Sequence, residues 1–144
     1  MNLGIKLYLL HPAAVHFPIA ILVLGLVGAC ISRFREKITW LSQGASWLLW
    51  LGTALAWAAL GFGFLAEDTA PHVPPAWETL NEHKQLAIWT VGLFSALSIW
   101  RFYMGRKLEW VFLGGWLVAS GVLIAAGYHG GELVFRFGMG VAQP

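Results

Sequence analysis

The chain has 144 residues, 58% of them hydrophobic and only 11% charged, with nine tryptophans, one cysteine and a net charge of +2. Water-soluble domains average roughly 25% charged residues, so a single domain of this composition is built for a bilayer. No basic patch interleaved with aromatics points to nucleic acid, and one cysteine excludes an internal disulfide, a multi-cysteine cluster and covalent CxxCH haem attachment.

An apolar segment of about 20 residues can cross a bilayer. The first such span is predicted over residues 13–31, entered through His11-Pro12-Ala13-Ala14-Val15-His16-Phe17-Pro18. Pro12 suits a first helical turn, whereas Pro18 lacks a backbone donor and loosens the turn it enters. Val27-Gly28-Ala29-Cys30 resembles a lipoprotein cleavage box. Only Lys6 precedes it as a charged residue, and Arg33, Arg35 and Lys37 follow, so Cys30 is read as an ordinary helix residue.

The second span is predicted over 44–65. The third covers 83–103, where Thr79 and Glu82 fit a capping box and place His83 in the first turns. The fourth covers 110–129 and is expected to stop at Gly130-Gly131. Trp40, Trp77 and Trp110 fall near predicted interfaces, and Gly25, Gly28, Gly114, Gly115 and Gly121 would permit close helix approach. The tail, 131–144, is apolar, glycine-interrupted and too short to span. It is expected to fold over the outer mouth as a lid, with Glu132 and Arg136 at i,i+4 if helical.

The fold expected is all-α, an integral-membrane up-and-down four-helix bundle occupying residues 1–144 as one domain. Its orientation follows from charge. Arg33, Arg35, Lys37, Arg101, Arg106 and Lys107 lie in the two short connections of one side, while Lys6, Lys84 and Arg136 on the other are outnumbered by acids. Basic short loops stay cytoplasmic. Both termini and all five histidines then face outward, which in a Gram-negative inner membrane means the periplasm.

Up-and-down connectivity brings His16, His83 and His129 to one membrane surface, with His11 and His72 in the flanking loops. Imidazoles from different helices of a bundle can ligate haem iron from opposite faces. The first and third spans can lie diagonally, so His16 and His83 are the preferred axial pair, with His129 as a replacement or as a donor to the haem edge. Arg136 and Lys84 are the candidate partners of anionic propionates. One haem is expected, and the histidine count would allow two. A zinc or copper site from His11, His16, His83 and His129 is an alternative. Phe17, Trp89, Phe94 and Trp116 would suit a flat apolar cofactor better. Glu67, Asp68 and Glu132 read as solvated loop residues, and no nucleophile–base pair, phosphate loop or dinucleotide fingerprint is present.

The opening run 11–20, His-Pro-Ala-Ala-Val-His-Phe-Pro-Ile-Ala, and the closing Gly-Gly-Glu-Leu-Val-Phe-Arg-Phe-Gly-Met-Gly-Val, 130–141, resemble the bacterial membrane family called domain of unknown function 2231. His11, Pro12, His16, Phe17, Pro18, His83, His129, Gly130 and Gly131 match its pattern, and Phe135 stands where a tyrosine is expected. The resemblance implies a four-helix inner-membrane protein associated with c-type cytochrome and Rieske modules, and with them electron transfer and b-type haem. The reading is a non-covalent haem b protein relaying electrons between a membrane donor such as quinol and a periplasmic redox subunit such as a c-type cytochrome. The competing readings are a cofactor-free accessory subunit of a larger membrane complex and an outward-facing metal-binding protein.

Overall fold

The computed structural model describes residues 7–35, 37–107 and 109–140. Lys6 and Val141, used above for the charge balance and the closing motif, lie outside the described residues. A 3-10 turn, Leu7–Leu9, leads into α1 (Leu10–Ala14), α2 (His16–Phe34) and α3 (Thr39–Thr69). A second 3-10 turn, Pro74–Ala76, precedes α4 (Trp77–Met104) and α5 (Glu109–Phe135). Together α1 and α2 make one candidate span, broken at Val15. Pro18 has no N–H for the carbonyl of Ala14, and Ile19 reaches that of Val15 only at 3.4 Å, so the helix yields there.

The four candidate spans have 25, 31, 31 and 27 residues, and their 18-residue apolar stretches have mean hydropathies of 2.4, 1.8, 1.3 and 1.8. They pack as a ring: α2 on α3, α3 on α4, α4 on α5 and α5 back on α2. Each layer therefore has α2 diagonal to α4. Large apolar side chains including Trp40, Trp47, Trp89 and Trp110 face away from the bundle, an arrangement that only an apolar solvent stabilises.

The helices overrun their expected ends. Trp77 opens α4 with Ala76 before it and no side-chain cap, so Thr79 and Glu82 lie inside the helix and form no capping box. Gly130 and Gly131 do not stop α5. It ends instead in a left-handed cap at Gly138 (φ 67°), whose N–H reaches the carbonyl of Val134 at 3.1 Å. The chain then turns back at Gly140 (φ 72°), where a Cβ would stand 3.1 Å from Pro12.

Leu22, Leu49, Phe94 and Trp116, one from each long helix, are fully buried and form the central layer. Two glycines make room for it. A Cβ on Gly52 would meet Leu22 at 2.6 Å, and one on Gly25 would meet Trp116 at 2.9 Å. Gly114 and Gly121, by contrast, have nothing within 4 Å of a built Cβ and do not bring helices together. Across the α3–α4 seam, Thr53 Oγ1 lies 2.9 Å from Ser98 Oγ, Trp50 donates to the Ser98 carbonyl, and Trp57 donates to Ser95 Oγ. Such side-chain bonds are worth about 0.6 kcal/mol on average within membranes.

The basic end holds a feature the sequence reading assigned to a loop. Arg101 lies inside α4, its side chain 6% exposed, and grips Glu109 at 3.0 and 3.2 Å across the α4–α5 turn. Its guanidinium also caps the Gly105 carbonyl and sits 3.9 Å over the Phe112 ring. Removing one partner of a buried pair strands the other charge, at a cost of roughly 3–5 kcal/mol. Glu109→Gln is therefore expected to lower thermal stability in detergent sharply, and Gly52→Ala by roughly 1–3 kcal/mol through overpacking. Arg35→Gln on the exposed surface should leave the melt within about 0.5 kcal/mol of the parent.

Candidate functional site

At the opposite end, two histidines from different spans come together. His11, on α1, places Nδ1 2.9 Å from the carbonyl oxygen of Ala59 in α3. His83, in the second turn of α4, places Nδ1 2.8 Å from the carbonyl oxygen of Ala126 in α5. A carbonyl can only accept, so each Nδ1 carries a proton, and in the neutral form each ring keeps its lone pair on Nε2. The ring centroids stand 5.9 Å apart at an interplanar angle of 74°.

Each ring rests on a glycine one turn beyond the carbonyl it engages. A Cβ on Gly63 would stand 3.1 Å from the Cε1 of His11, and one on Gly130 would stand 3.1 Å from the Cε1 of His83. That packing explains why Gly130 remains helical: the helix needs the missing side chain more than the chain needs a stop.

The other candidate residues are placed differently. His16 is exposed on the outside of the bundle, and His72 is exposed in the loop before α4. The structure thus pairs His83 with His11, where the sequence reading preferred His16. His129 is half-buried, its Nδ1 3.3 Å from Glu132 and 3.6 Å from Glu82 without the alignment of a hydrogen bond. Glu132, expected to be a solvated loop residue, belongs instead to α5 and this cluster. Lys84 holds both oxygens of Glu67 at 2.8 and 2.9 Å, and Arg136 lies 3.7 Å from Glu132 at the i,i+4 spacing. Both basic candidates therefore already face carboxylates.

Among the described residues no three His, Cys, Asp or Glu side chains converge to hold a metal ion. The four-histidine zinc or copper cage is not assembled: His16 is exposed, and His129 faces Glu82 and Glu132. The aromatics credited to a flat cofactor also divide. Phe17 and Trp89 face outward, while Phe94 and Trp116 fill the central layer. The sequence reading missed the backbone partners of the two rings. Its available signal was a glycine late in each of the second and fourth spans, at the depth of a histidine.

Over residues 9–143 the chain matches the family described as "Predicted membrane protein (DUF2231)", and it belongs to that family. No curated protein and no solved structure matches it.

The two anchored rings contribute to stability and the exposed ones do not. His11→Ala and His83→Ala should each cost roughly 1–3 kcal/mol, since each leaves a buried carbonyl with a lost partner and an empty ring volume. His16→Ala and His72→Ala should fall within about 0.5 kcal/mol of the parent. Thermal melts of the four variants in one detergent would check this ordering.

Proposed function

We propose that this member of the DUF2231 family is a membrane-embedded electron carrier that holds one b-type haem through His11 and His83. The observation carrying the reading is the pair of neutral imidazoles, one from each half of the bundle. Each is fixed through Nδ1, has its Nε2 lone pair uncommitted, and lies 5.9 Å from the other. Metal–imidazole bonds run about 2.0–2.1 Å, so two rings that share one ion must have their centroids within several ångströms of each other. The separation of the rings is of the scale that arrangement needs. Two neutral nitrogen donors in an apolar helical bundle are a donor set that fits haem.

Bound there, haem would supply a one-electron couple. The chain's own contribution is orientation and tuning. Donation from Nδ1 to a carbonyl fixes the tautomer, restrains ring rotation and raises the basicity of Nε2. Surrounding helices limit water, which with ligand basicity sets a potential. The basic residues at the other end, Arg33, Arg35 and Lys37 around the α2–α3 turn and Arg106 and Lys107 in the α4–α5 turn, support an outward-facing histidine end through the positive-inside rule. Quinol in the bilayer would serve as donor and a periplasmic c-type cytochrome or Rieske subunit as acceptor.

A second reading draws on the same two hydrogen bonds. They tie α1 to α3 and α4 to α5, so the histidines could act as clamps in a cofactor-free accessory subunit. An absorption spectrum of the detergent-purified chain from haem-replete cells separates the two. A Soret band and a sharp reduced α-band, lost in both His11→Ala and His83→Ala but retained in His16→Ala, are expected for the haem carrier. A folded, colourless parent protein would leave the clamp.

A further inference from the structure

The two anchored histidines belong to a larger regularity. Every buried position of α3 has a buried counterpart 67 residues later in α5. Ala45, Ser46, Leu49, Gly52, Thr53, Ala56 and Ala59 correspond to Phe112, Leu113, Trp116, Ala119, Ser120, Leu123 and Ala126. Burial alone fixes such an offset only to within a heptad, because any one-faced helix repeats its buried stripe. The chemistry fixes it independently. Ala59 and Ala126 are the carbonyls that accept from His11 and His83, and Gly63 and Gly130, the glycines beneath those rings, are separated by the same 67 residues.

The first helix of each half agrees. His11 and His83 differ by 72 residues, and at that offset buried Pro18, Leu22, Gly25 and Ala29 of α2 meet buried Thr90, Phe94, Leu97 and Arg101 of α4. The counterparts of Gly28 and Ser32, Trp100 and Met104, are not buried. Packing has the same symmetry: α2 pairs most extensively with α3 and α4 with α5, while the α3–α4 and α5–α2 seams close the ring. This pattern is what a two-fold axis along the bundle, exchanging the hairpins, would produce.

We infer that the chain is an internal duplication of one histidine-bearing helical hairpin, whose halves, His11–Ala59–Gly63 and His83–Ala126–Gly130, form one site astride the pseudo-two-fold axis for one metal centre. The choice of a haem-type centre rests on the preceding reading; the equivalence of the half-sites does not. Gly63 and Gly130 are positioning residues, acting through the rings they support. Residues that break the symmetry are outside the ligand set. His16 corresponds to Ile88 and His129 to Phe62, so neither recurs in the other half.

The test uses the full chain in detergent, labelled with ¹⁵N-histidine and free of haem, and then titrated with hemin. Two of the five histidines should show the Nδ1–H tautomer. One of those signals should vanish in His11→Ala and the other in His83→Ala. Gly63→Ala should shift only the first and Gly130→Ala only the second. Hemin should saturate at one per chain and give a low-spin six-coordinate electron paramagnetic resonance signal, which either histidine substitution converts to high spin or abolishes. A saturation of two hemins per chain, or a signal that survives loss of one of the two histidines, would overturn the single site. A tautomer signal from one histidine alone would overturn the equivalence. If both tautomer signals follow their own glycines but no hemin binds, the haem reading fails while the paired half-sites stand.

Discussion

A chain crossing hydrocarbon must satisfy its backbone polar groups internally, and here that constraint governs what the side chains can do. Inside a helix each carbonyl already accepts from the N–H four residues on, leaving a second lone pair open to a side chain that can approach. Approach is blocked wherever a Cβ covers the groove. Gly63 and Gly130 uncover it at two places, and into each opening comes one imidazole, over the carbonyls of Ala59 and Ala126. The backbone of a bilayer-spanning helix thereby fixes the two rings, a task that a soluble protein often gives to carboxylates.

What this arrangement selects is the tautomer. An imidazole whose Nδ1 proton is committed presents Nε2 as a base or ligand without needing a charge nearby. That matters because the basic groups at this end already face carboxylates. Lys84 faces Glu67, and Arg136 faces Glu132, with His129 between Glu132 and Glu82. The two anchored rings take their partners from the backbone instead.

Much of the architecture was legible in the sequence because it follows from solvent. Four apolar runs, sorted charges and short connections leave little choice beyond an up-and-down bundle, although whole turns at the helix ends escaped. Proline and glycine were weighed there by local preference, and tertiary contact with His83 overrode it at Gly130. The histidine pair was harder to read because it depends on helix rotation. His11 and His16 are five residues apart, about 140° around a helix, so when one faces the axis the other faces lipid. Nothing in the local sequence says which. Arg101 was misread for a related reason: a charge at a span end looks like a loop charge until Glu109 is folded against it. The duplication was invisible because the halves share burial and geometry while their residue types have diverged.

That divergence leaves the buried Ser120 hydroxyl without a partner among the described residues. Thr53 is bonded to Ser98 across the α3–α4 seam, but its counterpart Ser120 has an unpartnered oxygen. The residue corresponding to Ser98 is Leu26. One seam of the ring is thus laced by hydrogen bonds. At the same depth the other is made by fit, with Trp116 over Gly25 and Ile19 beside Gly127. It is also the seam no interhelical loop bridges. In mechanical terms the two seams resist separation differently: polar bonds and a connecting loop hold the one between α3 and α4, and apolar contact holds the one between α5 and α2.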